Sequence, residues 1–353
     1  MNTDRTEKLL LMHCKKYPAL QIQDLFKYLY QSSYGCEHMV SSLQAAVDYI
    51  REEYENLCSD NKTDIEELDG AYYRVGLSWL NTGLSANTLG KLFYLSAKKE
   101  EYASKKLTEK IRAAQKLVWD KLLPFQKDEF EKAVKEWEKT GFSPVHHSKI
   151  FKEAYNPAYR LIASKYVPFL SLFAKIDKLL EKGSANIAIE GGSASGKTTL
   201  SEILSSVYKC NVFHMDDFFL QPHQRTKQRY AQTGGNVDYE RFLTEVLKPL
   251  KKGEPVNYRK FDCSDMELKE PLSVIPEKLN IIEGAYSMHY ELEKYYDLSV
   301  FLDISPQKQK ERILKRNSPR LAERFFDEWI PLEKVYFSNT KAKERCSMCI
   351  ITD

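Results

Sequence analysis

The run Gly191-Gly192-Ser193-Ala194-Ser195-Gly196-Lys197-Thr198-Thr199 is the strongest chemical signal in the chain. It fits Gly-x-x-x-x-Gly-Lys-Thr, and each residue type has a physical role. The glycines let the backbone turn tightly and aim its N–H groups inward at an anion. A helix that begins at the same point adds its positive end. Lys197 can reach the β- and γ-phosphates, and the Thr198 hydroxyl can ligate Mg²⁺. The expected ligand is therefore ATP with Mg²⁺, held by residues 191–199. A kinase that phosphorylates an alcohol also needs a carboxylate beside the hydroxyl, to accept its proton and orient it for in-line attack. Asp216 is the candidate, with Asp217 next to it as a substrate-side or water-mediated Mg²⁺ contact. Glu283 is suited to Mg²⁺ or to the substrate hydroxyl. In the basic run from Lys308 to Arg320, Arg316 and Arg320 are placed to meet a transferring phosphoryl group, as lid arginines do.

These residues need a scaffold, and the apolar pattern supplies one. Ile187, Ala188 and Ile189 read as a strand entering the glycine-rich loop, and Leu200, Ile203, Leu204 and Val207 follow at helical spacing. Further strand-like runs are 211–215, 279–282, 298–302 and 348–351. Five strands separated by helical segments predict a parallel sheet with helices on both faces, the α/β P-loop NTPase fold. Ligands in such sheets sit at the carboxyl ends of the strands, where Asp216 and Glu283 fall.

At 353 residues the chain is long enough for two domains. Apolar residues at 42% can fill real cores, and a net charge of +3 gives no global argument for a nucleic-acid or membrane partner. The charged start lacks the apolar core of a signal peptide, and no apolar run approaches a membrane span, so the expected location is cytoplasmic. Seven scattered cysteines (Cys14, Cys36, Cys58, Cys210, Cys263, Cys346, Cys349) do not form a disulfide framework. Cys346-x-x-Cys349 has no second pair beside it, and the alternation of Cys346, Met348 and Ile350 reads as a strand face.

Residues 1–175 predict a mainly helical domain, and 176–353 the P-loop domain. Helical stripes run through Leu9–Met12, Leu25–Leu29, Met39–Ile50, 104–122 and 126–139, broken at Pro18, Gly35 and Pro124. Tyr72–Val75 can be extended. Two polar clusters are unusual for a plain bundle: Gln31 to His38, and His146-His147-Ser148 followed by Tyr155 to Arg160. Glu37, His38, His146 and His147 together could bind a metal or move a proton; with Arg74 or Arg160 they could hold an anion. The competing reading is packing, with these groups hydrogen-bonded between helices.

Residues 185–353 resemble the uridine kinase and phosphoribulokinase family of P-loop kinases. The resemblance rests on Gly191–Thr198, Met215-Asp-Asp-Phe-Phe219, Ile282-Glu-Gly284, the Arg-rich lid and Trp329-Ile-Pro-Leu-Glu333. It implies that Asp216 is the catalytic base. Nicotinamide riboside kinases in this group are similar at Asp216 and Glu283. The segment around Asp238 and Arg241 matches the place where these enzymes line the acceptor site, so both are substrate-side candidates. Where uridine kinases follow a Tyr-Asp-Phe segment with a base-recognising His, this chain has Phe261-Asp-Cys263 and no His. Arg225, Arg229 and Arg259 would instead suit an acceptor that carries an anionic group. The two clusters of the first half resemble a family of uncharacterised helical proteins with no activity to carry over. The expected activity is phosphorylation of a hydroxyl on a nucleoside or related small metabolite. The rival is a P-loop switch controlling a partner or the helical domain.

Overall fold

The computed structural model describes residues 3–57 and 63–353, so Cys58 lies outside the described residues. Contacts divide the chain into two units, 1–177 and 178–353. Among the described residues no helix is long and apolar enough to cross a membrane.

The first unit carries helices α1 (Thr3–Lys16), α2 (Ile22–Tyr34), α3 (Leu43–Glu55), α4 (Ala86–Ser96), α5 (Ala103–Trp119), α6 (Lys127–Lys139), α7 (Lys149–Tyr155) and α8 (Leu170–Lys182), which runs past the boundary. Several begin at side-chain caps: the hydroxyls of Ser42, Ser85 and Ser148 accept from the backbone N–H of Ala45, Thr88 and Phe151. The helical expectation holds, with one addition. Strands β1 (Ile65–Leu68), β2 (Tyr72–Gly76) and β3 (Tyr159–Ala163) form an antiparallel sheet in that order. Only β2 had a strand signal in the sequence. The β1–β2 turn is built on Asp69 and Gly70, both at positive φ (49° and 105°), a conformation these residue types tolerate. β2 in the middle places the Arg74 side chain in the buried interior.

The second unit is built on a five-stranded, wholly parallel sheet of order β12-β11-β4-β10-β5. Its strands are β4 (Ala185–Gly191), β5 (Cys210–His214), β10 (Leu279–Glu283), β11 (Leu298–Asp303) and β12 (Met348–Ile351). Two short ribbons lie between β5 and β10: β6 (Val256–Tyr258) pairs with β9 (Leu272–Val274), and β7 (Phe261–Asp262) with β8 (Glu267–Leu268). β4 and β10 are buried along their whole length, as inner strands covered on both faces must be. The helices are α9 (Lys197–Val207), α10 (Lys227–Tyr230), α11 (Tyr239–Phe242), α12 (Lys248–Lys252), α13 (Pro306–Arg316), α14 (Pro319–Arg324), α15 (Ile330–Thr340) and α16 (Ala342–Arg345). A π-helical turn, Phe325–Trp329, joins α14 to α15. On α15, Glu333, Tyr336 and Phe337 share one face at spacings of three and four. They contact Ser193, Glu190 and Phe301 in turn. Cys346 caps α16 and lies outside β12, so the strand face expected there begins at Met348.

Candidate active site

The loop after β4 has the backbone that its composition predicts. Gly191 has φ 151°, Gly196 φ 101°, and Ala194 adopts φ 61° between them. A Cβ on Gly191 would lie 2.6 Å from the Leu302 carbonyl oxygen and 2.8 Å from Ser195 Oγ, so only glycine fits. The loop's carbonyls are held from outside. Gln309 Nε2 donates to Ser193 O (2.8 Å), the Arg312 guanidinium to Ala194 O (3.2 Å), and Thr352 Oγ1 to Ser195 O (2.9 Å). The carbonyls of Ser193, Ala194 and Ser195 are thus tied to partners outside the loop, while the N–H of Ser193 is held by Glu333 and that of Gly191 by Glu190. Gly196 caps α9, adding the positive end of that helix.

Lys197 Nζ donates to the carbonyls of Gly191 (2.9 Å) and Gly192 (3.0 Å), so the ammonium spans the loop. Thr198 Oγ1 donates to Glu283 Oε1 at 3.3 Å, and His214 Nδ1 lies 2.6 Å from the same oxygen. These contacts join the first turn of α9 to the ends of β5 and β10, where register sets Glu283 opposite His214 and Ile189. The hydrogen bond from His214 to Glu283 raises the imidazole pKa against the opposing effect of burial. A threonine hydroxyl beside a carboxylate is a hard oxygen donor pair. That suits Mg²⁺, which takes few protein ligands and completes its shell with water and phosphate oxygens.

Asp216 follows β5 in a single helical turn, Met215–Phe218. It is exposed, and Lys197, His214, Asp217 and Glu283 are the charged groups near it. Desolvation raises its pKa, with Lys197 drawing it down and Glu283 pushing it up. Asp217 pairs with Lys260 at 2.9 Å.

The other expected residues are placed differently. Asp238 is buried and caps α11, accepting from Arg241 N (3.1 Å) and Gln224 Nε2 (2.9 Å). Arg241 donates to the carbonyls of Asp217 (3.1 Å) and Arg259 (2.6 Å), with its guanidinium 4.2 Å from the centroid of the Phe218 ring. Arg259 donates to the carbonyls of Lys269 (2.6 Å) and Leu268 (3.0 Å). These three tie the start of α11, the turn after β5 and the β7–β8 ribbon together. Arg225 and Arg229 are likewise tied to the carbonyls of Leu220, Gly235 and Val237. Arg316 and Arg320 are exposed, and among the described residues neither makes a hydrogen bond or ion pair. The arginine of this run that touches the loop is Arg312.

Two carboxylates escaped the sequence reading. Glu333 is buried, and its Oε2 and Oε1 accept from Ser193 N (2.9 Å) and Ser193 Oγ (2.6 Å). Glu190 is fully buried; it accepts from the N–H of Gly191 (2.9 Å), Tyr286 (3.2 Å) and Met288 (2.9 Å) and from the Tyr336 hydroxyl (3.2 Å). Burial pushes its pKa up to about 7, ahead of the opposing hydrogen bonds. Glu190 thus ties β4 to the loop after β10. A carboxylate inside a buried strand next to the glycines was the available signal.

In the first unit the candidate grouping of Glu37 with the histidines is not arranged as a metal site. Among the described residues no group of three or more His, Cys, Asp or Glu side chains is arranged to hold a metal. Glu37 is exposed, His38 packs edge-on to Tyr30, and His147 pairs instead with Asp24. Arg160 pairs with Glu53 at 2.7 Å.

Residues 186–320 match the model of the Phosphoribulokinase / Uridine kinase family, and this segment is a kinase domain of that family. The chain is 27% identical over 195 residues to a bifunctional alpha-galactosidase/sucrose kinase of Mediterraneibacter gnavus. That match takes in 47% of this chain and 20% of the relative, so the chain spans about one fifth of the relative's length. A solved structure described as a possible uridine kinase from Bacillus stearothermophilus aligns at a TM-score of 0.38 and 20% identity, covering 51% of this chain and 98% of that one. A shikimate kinase from Bacteroides thetaiotaomicron aligns at 0.27 and 12%, covering 48% and 86%.

Proposed function

We propose that the second unit is an ATP- and Mg²⁺-dependent kinase that phosphorylates a hydroxyl of an uncharged small acceptor, a nucleoside or a sugar. The convergence of Lys197, the Thr198–Glu283 pair and Asp216 at the ends of three adjacent strands carries this reading. The loop N–H groups and Lys197 hold the phosphates, and Thr198 with Glu283 holds the metal. Bound Mg²⁺ supplies charge neutralisation at the phosphate oxygens. Asp216 orients the acceptor hydroxyl and takes its proton. Arg316 and Arg320, unpaired and exposed, are available to meet the transferring group.

The state of the arginines supports an uncharged acceptor. Arg225, Arg229, Arg241 and Arg259 all donate to backbone carbonyls, and Lys260 is paired with Asp217. An anionic acceptor would have to share these cations with partners they already hold. The sucrose kinase relative acts, by its name, on a neutral sugar. The test is ATP consumption by the full chain against nucleosides, sugars and their monophosphates, with Asp216→Asn as control. Turnover that needs a neutral acceptor and vanishes in the variant is expected. Acceptor-independent hydrolysis, equal in the variant, would sink the kinase and favour a nucleotide-driven switch.

A further inference from the structure

A cavity of ≈ 520 Å³ opens in the first unit, within the size range of small-molecule sites. Part of its lining is aromatic: Tyr17, Phe151 and Tyr155 pack ring against ring with centroids 4.8–5.1 Å apart. Such a wall favours a flat ring as its guest. The lining cations are already matched. Lys16 faces Asp64 at 3.0 Å, and Arg74 faces Glu66 at 3.0 Å, which leaves the exposed Glu55 as the remaining lining charge. Such a cavity gives a phosphate or carboxylate nothing to pair with.

Tyr159 also lines the cavity, and a buried relay fixes its polarity. Asp24 accepts from Ser148 N (2.9 Å), Ser148 Oγ (2.7 Å) and Gln21 N (3.0 Å), which suits an ionised carboxylate. His147 Nδ1 lies 2.9 Å from Asp24 Oδ1 and must donate, so its Nε2 carries a lone pair. That nitrogen is 2.8 Å from the Tyr159 oxygen. The competing acceptor, Gln31 Oε1 at 3.3 Å, already receives two N–H groups from Arg74, at 3.0 and 2.8 Å. Tyr159 therefore donates its O–H hydrogen bond to His147 Nε2 and keeps its lone pairs as acceptors. The Arg74 guanidinium, 4.8 Å from the centroid of the Tyr159 ring, holds that ring from its face.

We propose that this cavity is a second small-molecule site for an uncharged, planar, N–H-bearing ring compound of the nucleobase or nucleoside class. Tyr159 is its hydrogen-bond acceptor, and His147 and Asp24 are positioning residues. The inference is independent of the kinase reading.

The test is saturation-transfer NMR and calorimetry on the full chain without ATP, using adenine, guanine, cytosine, uracil, hypoxanthine and their ribosides as probes. At least one free nucleobase should bind, about tenfold more weakly to Tyr159→Phe. If Tyr159→Phe fails to fold, Tyr17→Leu removes the ring wall instead and should weaken binding as much. Nitrogen-15 spectra should show the His147 proton on Nδ1. Silence from every probe, or nucleobase binding of full strength in Tyr159→Phe, would overturn the site. A proton on Nε2 would overturn the role of His147.

Discussion

The two units both gather charged side chains away from water, but they assemble them differently. In the second unit the groups proposed to bind phosphate come from one loop and the first turn of α9, where Thr198 meets Glu283, which stands with His214 at the ends of adjacent strands. In the first unit the network runs through Asp24, Gln31, Glu66, Arg74, His147 and Tyr159, side chains drawn from α2, β1, β2, β3 and the start of α7. A site made of local backbone leaves a contiguous trace in the sequence. A site made of side chains brought together by folding leaves only scattered polar residues. The difference also predicts how each should fail. Losing a group at the loop should impair chemistry, whereas losing one in the network should impair folding.

The largest effect tests that contrast on the catalytic side. Asp216→Asn keeps the shape and loses the base, so kcat should fall about 10³-fold. Because Asp216 is exposed and makes no hydrogen bond among the described residues, Tm should stay within a degree or two. A variant with full kcat would remove Asp216 as base.

Arg74→Met is the counterpart. It leaves the buried Glu66 without its cation and Gln31 without two donors. Breaking a buried pair this way costs about 3–5 kcal/mol, seen as lost hydrogen-exchange protection in β2, while kcat per folded molecule at saturating acceptor is retained. Loss below about 1 kcal/mol would show that the network does not hold the first unit together.

A third prediction sets the units against each other in pH. His147 is held down to about 4 by burial first, then by Arg74 and Lys27, against the pull of Asp24. Between about 4 and the ordinary 6.5 the unfolded chain binds a proton that the folded one does not, so the first unit should gain stability as pH rises through that window. Burial lifts Glu190 to about 7, against hydrogen bonds from Met288, Gly191 and Tyr336 and the charge of Lys197. From the ordinary 4.5 to about 7 the folded state holds the extra proton, so the second unit should lose stability as pH rises. Glu333 is raised in the same direction by its own burial. Each effect is on the order of 3 kcal/mol. Hydrogen exchange at β2 and β4 across pH 4–7 should show slopes of opposite sign; parallel slopes would contradict the assignment.

The legibility of the chain follows the same division. The three inner strands of the second unit could be read because buried parallel strands are short apolar runs, the edge strands β5 and β12 because they too carry short apolar runs, and the loop because its glycines are forced. β1 could not, since Ile65-Glu66-Glu67-Leu68 carries no apolar alternation and gains its place only by pairing with β2. Tyr159 and Arg160, the start of β3, looked like part of a polar cluster because their strand character depends on the same partner. The residues that hold the phosphate loop from outside, Gln309, Arg312, Glu333 and Thr352, lie more than 100 positions away. Their spacing carries no trace of the contact. Arg312 lay in the basic run, but only the fold distinguishes it from Arg316 and Arg320.

The smallest effect concerns the residue for which sequence and structure point in different directions. Arg259 is exposed, and its guanidinium is engaged by the carbonyls of Lys269 and Leu268 at the base of the β7–β8 ribbon. If this contact is its whole role, Arg259→Ala loses two hydrogen bonds that water can replace. The acceptor KM should then rise less than about threefold, with kcat unchanged. An arginine that binds an anionic acceptor behaves otherwise, because losing a charge-assisted bidentate contact costs about 1.5–3 kcal/mol and raises KM more than tenfold. Measuring KM for a sugar and for its phosphate in wild type and Arg259→Ala separates the two. A small, equal change for both acceptors keeps Arg259 in the scaffold. A large change confined to the phosphate would return it to the acceptor site and overturn the inference of an uncharged acceptor.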